Sequence, residues 1–164
     1  MIFVTVGTHE QPFDRLLKCI DKMVEDKLIN EKVIIQKGYT DYESNYCKSY
    51  KLLDYEEMQQ YIKEARIIVT HGGPASFLSV IAVGKIPIVV PRQYKYNEHV
   101  NDHQLEFARK IEEKMNNIIV AETEEKIVDV ILNYDKIIKQ MNLNNSSNNK
   151  RFNKGLIEEI KQIL

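Results

Sequence analysis

The chain has little of what would place it outside the ordinary globular class. Two cysteines in 164 residues, Cys19 and Cys47, are too few for a disulfide framework. They also lack metal-ligand spacing, and both read as reduced thiols of a cytoplasmic protein. Lysine plus arginine (23) and aspartate plus glutamate (24) nearly cancel, which argues against nucleic-acid binding by bulk electrostatics. No apolar run approaches the roughly 20 residues needed to span a bilayer. The N-terminus has neither a basic flank nor a small-residue cleavage site, so residues 2–6 read as a strand and not a signal peptide. Any membrane association must then come through a partner or a surface helix. No internal repeat is present. No Gly-x-Gly-x-x-Gly follows any strand pattern, which argues against a redox or other dinucleotide-binding module; Gly7 stands alone.

What is present is an alternation of short apolar strands with helical patterns. Residues 2–6, 33–35, 67–70, 86–91 and 118–120 are nearly continuous apolar runs, as expected of strands buried on both faces of a parallel sheet. A further short strand is expected over residues 50–53. Between them lie helical patterns. Phe13, Leu16, Leu17, Ile20 and Met23 mark the first. Asp54 with Glu57 gives a capping-box start for a helix through residue 65. Others are expected over residues 74–83, 102–114 and, capped by Thr123, to about residue 132. The fold class is therefore α/β, a Rossmann-like and mostly parallel sheet with flanking helices. Ligands of such sheets bind outside the carboxyl ends of the strands. Three polar loops fall there, at residues 7–11, 71–76 and 92–104.

The middle loop carries the strongest signal. His71-Gly72-Gly73-Pro74-Ala75-Ser76 follows a strand and opens a helix. A helix N-terminus presents unpaired N–H groups and partial positive charge, a setting for a phosphate. The N–H groups of Ala75 and Ser76 supply those dipoles, since Pro74 has none.

Residues 1–141 make the folded domain. Residues 142–152 are polar and low in complexity and read as a linker. In residues 153–164, Leu156, Ile157, Ile160, Ile163 and Leu164 share one helical face. Such a face must dock on its own domain, a partner protein or a membrane surface.

The segment from His71 to Leu78, then Gly84-Lys85-Ile86-Pro87-Ile88-Val89-Val90-Pro91-Arg92, then Glu98-His99-Val100-Asn101-Asp102-His103-Gln104 together resemble the C-terminal domain of family-28 glycosyltransferases. The opening Val4-Thr5-Val6-Gly7-Thr8-His9-Glu10-Gln11-Pro12-Phe13 is similar to the PssE-type bacterial subunits of split glycosyltransferases in capsule and exopolysaccharide assembly. Those subunits are similar in turn to the soluble subunit of the eukaryotic two-part transferase that adds the second N-acetylglucosamine to lipid-linked oligosaccharide. The resemblance covers about residues 1–132.

It implies the donor-binding half of a GT-B enzyme that takes a UDP-sugar. Its partner is a membrane-associated acceptor-binding subunit carrying a lipid-linked saccharide. Chemistry is inverting, with no metal or other cofactor. The chain would be cytoplasmic, recruited to the inner face of the cell membrane through that partner. Galactose is the first sugar suggested, with glucose and N-acetylglucosamine as alternatives.

The resemblance also assigns residues. His71 lies near the donor phosphates and Ser76 contacts one, with Gly72, Gly73, Pro74 and Ala75 forming the turn. Asp102 and Gln104, separated by His103, face the sugar hydroxyls. Gly7 and Thr8 approach the diphosphate or the acceptor. Arg92 pairs either with phosphate or with a local carboxylate. Relatives carry an acidic ribose ligand three positions after the serine; here that position is Ser79, so either its hydroxyl or Glu98 takes the role. His9 and Glu10 are candidates for the general base, with the partner as the other source. His99 and His103 have the i, i+4 spacing of a metal pair but no third ligand nearby. Lys85 is expected to face water. Tyr39, Tyr42 and Tyr46 form either an acceptor or partner surface or a plug for the sheet edge. The loss of the ribose carboxylate keeps a non-catalytic nucleotide-sugar-binding or scaffolding module open as the alternative function.

Overall fold

The computed structural model describes residues 1–144, with side chains through residue 141. Six parallel strands make one sheet in the order β3-β2-β1-β4-β5-β6. They are β1 Ile2–Thr5, β2 Val33–Gln36, β3 Lys48–Tyr50, β4 Ile67–His71, β5 Ile88–Val90 and β6 Ile119–Val120. Among the described residues, five helices flank it: α1 Asp14–Glu25, α2 Tyr55–Glu64, α3 Pro74–Ala82, α4 His103–Met115 and α5 Glu124–Asn144. The strand order reverses direction between β1 and β4, which pair in register from Ile2↔Ile67 to Thr5↔Thr70. That reversal opens a crevice at the carboxyl ends of β1 and β4, where doubly wound sheets hold ligands.

Alternation along β1 divides the core. Ile2 and Val4 face a cluster with Leu16, Leu17, Ile20, Ile127 and Val130 of α1 and α5. Phe3 faces the other side, with Ile62 and Val80 of α2 and α3. Both sheet faces are thus covered, which is why the strands are continuous apolar runs.

Several expectations hold at residue level. The capping box of α2 is complete: the Glu57 N–H donates to Asp54 at 2.8 Å, and the Asp54 N–H donates to the Glu57 carboxylate at 3.1 Å. The Lys126 N–H donates to the Thr123 hydroxyl at 3.3 Å, capping α5.

Three expectations are corrected. The third strand lies at Lys48–Tyr50, not over residues 50–53; it is an edge strand with an exposed and two half-buried residues, so no apolar run marks it. The last helix continues to Asn144 instead of stopping near residue 132. Tyr134, Ile137, Ile138 and Met141 extend its apolar stripe onto the α1 side of the core. The expected linker of residues 142–152 therefore begins in helix, and its remainder and the expected helix over residues 153–164 lie outside the described residues. Lys85 is half-buried and not free in solvent. Its ammonium donates to the carbonyls of Ile62, Lys63 and Ala65 at 2.8, 2.5 and 2.7 Å, capping the C-terminus of α2.

The tyrosine loop packs on α1. Buried Asp21 accepts hydrogen bonds from the Tyr42 hydroxyl at 2.8 Å, the Asn45 and Tyr46 N–H groups at 3.0 Å and the Ser44 hydroxyl. Burial drives the thiols of Cys19 and Cys47 up to about 11 and about 12, so neither is a reactive thiolate.

Candidate functional site

The loops after β1, β4 and β5 meet at the crevice, with His71 at their centre. Its ring fills the space above two glycines. A Cβ on Gly7 would stand 2.7 Å from His71 Nε2, and one on Gly73 would stand 3.0 Å from His71 Cδ2. Gly7 also has φ +74°, a conformation that glycine adopts at no steric cost. Gly7 and Gly73 thus make room for the imidazole, which in turn sets the spacing between the β1 and β4 loops. Burial first, and the Arg92 charge second, push the His71 pKa down to about 4, with the Thr5 backbone opposing. His71 is therefore neutral near pH 7. Its Nδ1 is buried with no partner among the described residues.

Gly72 packs the turn against α4. A Cβ there would meet Gln104 Cβ at 2.9 Å and Pro91 Cα at 3.2 Å. Gly73 is the N-cap of α3, in extended conformation, and Pro74 is its first residue. Pro74 and Ala75 are exposed and Ser76 is half-buried. The expectation that two N–H groups are free is corrected: Ser76 N–H turns back to the Gly73 carbonyl at 3.1 Å. The Ala75 N–H and the Ser76 hydroxyl remain for a ligand, together with the dipole of a nine-residue helix. Ser79, at the expected ribose position, donates its hydroxyl to the Ser76 carbonyl at 2.7 Å, so its proton is committed within the helix.

The β5 loop is different. Arg92 is 1 % exposed. Its guanidinium donates to the carbonyls of Gln11, Pro12 and Glu98 at 2.7, 3.2 and 3.3 Å and to that of Val6 at 3.0 Å. It also covers the Phe13 ring at 4.7 Å. Arg92 bonds no carboxylate among the described residues; it clamps the β1 loop to the β5 loop, with its Nε buried and without a partner there. Glu98 is likewise corrected as a ribose ligand. It is buried and bidentate to Arg15, at 2.8 and 3.0 Å, and accepts the Gln93 N–H at 3.1 Å. Arg15 also donates to the carbonyls of Glu122 and Pro91. Sequence reasoning missed Arg15 because it sits on an amphipathic helix as one more polar residue. Asp102 accepts the Tyr94 N–H at 2.8 Å. Gln104 Oε1 accepts the Arg92 N–H at 3.2 Å, which places this side chain beside Gly72. His103 is exposed at the start of α4.

The β1 loop supplies the outer wall. Thr8 and Glu10 are exposed. The ring of His9 lies 4.9 Å from that of His99, tilted 42°. His99 thus faces His9 in place of forming a pair with His103, and no group of three or more His, Cys, Asp or Glu among the described residues is arranged to hold a metal. A groove of about 870 Å³ between α1, α5 and residues 42–46 contains none of these site residues and is lined by charges of both signs. No helix among the described residues is long and apolar enough to cross a membrane.

The crevice therefore offers uncharged donors: the Ala75 N–H and the Ser76 and Thr8 hydroxyls. Behind them lie a helix N-terminus and the buried Arg92 cation. This suits an anionic group whose negative charge is met by fixed dipoles in place of an exposed cation.

Comparison with known proteins agrees with the fold. The fold superimposes on the crystal structure of the glycotransferase of kitacinnamycin with TM-score 0.60 at 12% identity, covering 99% of this chain and 42% of that one. It superimposes on the glycosyltransferase SnogD from Streptomyces nogalater with TM-score 0.59 at 14% identity, covering 98% of this chain and 43% of that one. The chain thus spans less than half the length of either structure. Comparison with curated protein sequences finds no match. The glycosyltransferase family 28 C-terminal domain matches residues 1–160, and the chain belongs to that family.

Proposed function

We propose that this chain is the donor-binding catalytic subunit of a two-component inverting glycosyltransferase. It takes a sugar from a UDP-sugar, with galactose the first to test, and passes it to a lipid-linked acceptor in capsule or exopolysaccharide assembly. The observation that supports the donor-binding reading most is the match of residues 1–160 to the glycosyltransferase family 28 C-terminal domain, with the β4–α3 turn opening onto the crevice. The two-component arrangement comes from the resemblance to PssE-type subunits, in which the acceptor-binding half is a separate membrane-associated polypeptide.

In the proposed reaction, the acceptor oxygen bonds to the anomeric carbon as the bond from that carbon to the UDP oxygen breaks. The electron pair leaves with UDP, and the acceptor proton goes to a base. Charge builds on the departing diphosphate beside the Ala75 N–H, the Ser76 hydroxyl and the α3 dipole. In this reading Gln104, next to the turn, meets sugar hydroxyls through its amide N–H groups, since its Oε1 accepts the Arg92 N–H.

A second reading is a non-catalytic nucleotide-sugar-binding or scaffolding module. One observation favours it: Ser79 stands where a ribose carboxylate is expected, and its hydroxyl is bonded within α3. Sugar transfer to a lipid-linked acceptor, measured with and without the membrane-associated partner, separates the two. Transfer that requires both chains is expected. UDP-sugar binding without transfer by the assembled pair favours the second reading.

A further inference from the structure

We infer that His9 serves the site as a hydrogen-bond donor through Nε2, held by Gln11 and His99, and not as the base that deprotonates the acceptor. The inference rests on the reading of the crevice as a site for a nucleoside diphosphate sugar.

The first observation is a hydrogen bond. The Gln11 N–H donates to His9 Nδ1 at 3.2 Å. A ring nitrogen that accepts carries no proton, so the proton of the neutral imidazole is on Nε2. Gln11 is itself fixed, because its carbonyl accepts from the buried Arg92 guanidinium at 2.7 Å.

The second observation is the seat of the ring. The His99 ring lies 4.9 Å from it, and His99 Nδ1 is buried without a partner among the described residues. The residue before His99 is also tied down, since the Glu98 carbonyl accepts from Arg92. One buried arginine thus holds both the tautomer-setting residue and the peptide next to the supporting ring.

The charges around His9 agree. Burial, the Arg92 charge and His99 lower its pKa, with Glu10 alone opposing, and His9 is close enough to His71 to lower that pKa as well. His9 is therefore neutral near pH 7.

A general base needs a free lone pair within reach of the proton. The lone pair of His9 is occupied by Gln11. Using Nε2 as base requires the other tautomer, which turns Nδ1–H toward the Gln11 N–H and loses that bond. Donation from Nε2–H requires no rearrangement and gives a charge-assisted bond to a phosphate oxygen.

The test is calorimetric titration of UDP into the full chain, wild type against His9→Ala, His9→Asn and His9→Gln, with thermal unfolding of each. Glutamine places an amide N–H near the Nε2 position, whereas asparagine reaches only Nδ1. The alanine and asparagine variants are expected to lose about tenfold or more in UDP affinity, and glutamine to stay within about threefold of wild type. His99→Leu should weaken binding less than His9→Ala and add nothing to it.

Unchanged UDP affinity in all three His9 variants, with transfer abolished in each, would assign His9 as the base and overturn the inference. Equal loss in all three together with lowered melting temperatures would make His9 a structural residue and overturn it as well. Failure of the wild type to bind UDP overturns the donor-site reading itself, an outcome distinct from both.

Discussion

The two loops on either side of His71 use polar groups in opposite ways. The β4–α3 turn spends almost none of them internally: Pro74 and Ala75 are exposed, and the Ala75 N–H and the Ser76 hydroxyl point to no partner among the described residues. The β5–α4 loop spends most of its charged groups internally, although Arg92 Nε and His99 Nδ1 have no partner among the described residues. Arg92 binds four carbonyls, Glu98 binds Arg15 and Gln93, and Asp102 binds Tyr94. A polar residue in a ligand-side loop is therefore not thereby a ligand residue; where its hydrogen bonds go decides. The first loop presents backbone and hydroxyl to the crevice, and the second is the frame that keeps the first in place.

Breaking the frame should cost the most. Arg92→Ala leaves four carbonyls without their donor and a void against Phe13. We expect a loss of about 3–5 kcal/mol in unfolding free energy, measured by chemical denaturation, with UDP binding lost alongside. Arg92→Lys should rescue little, because a single ammonium lacks the planar fork that reaches carbonyls in several directions. A variant within about 0.5 kcal/mol of wild type would contradict the clamp.

The ring between the loops gives the next effect. His71 has a folded-state pKa of about 4 against an ordinary 6.5, so the unfolded chain binds the extra proton in that window. Its contribution is complete above about pH 6.5 and is lost as pH falls toward 4, on the order of 3 kcal/mol in all. The stability of His71→Asn, subtracted from that of wild type across this range, should isolate the slope. Parallel curves would show that the ring is not held neutral.

Smaller substitutions sharpen the contrast between the loops. Ser76→Ala should weaken UDP binding by about 1–3 kcal/mol and leave unfolding unchanged. Asp102→Ala should instead cost stability by about 1 kcal/mol through the lost Tyr94 bond. Calorimetry and denaturation on both variants test the crossover; the same pattern in both would erase the distinction. Least affected should be Ser79→Ala, within about 0.5 kcal/mol in stability, because its hydroxyl bonds only the preceding turn of its own helix.

Much of the fold was legible because burial on both sheet faces makes strands into unbroken apolar runs. Lys48–Tyr50 escaped because an edge strand needs no such run. The full length of α5 was legible in principle, because Ile127, Val130, Ile131, Tyr134, Ile137, Ile138 and Met141 keep helical spacing past Leu132; an end near residue 132 cuts that stripe short. In the site, the glycine turn was legible because strand, turn and helix start are contiguous. Arg92 and Glu98 were recognised as motif residues but placed in the wrong role. Their partners lie 80 or more residues away, at Gln11, Val6 and Arg15, and no local pattern reports such a contact. The demand of His71 on Gly7 was invisible for the same reason.

The central claim is that the crevice between the β1 and β4 loops holds the diphosphate of a UDP-sugar. Titration of UDP into the chain, with NAD as the control, tests it most directly. Saturable UDP binding that weakens in His71→Ala and Ser76→Ala, with no NAD binding, is the predicted result. No UDP binding even with the acceptor-side partner present, or equal affinity in wild type and both variants, would contradict it.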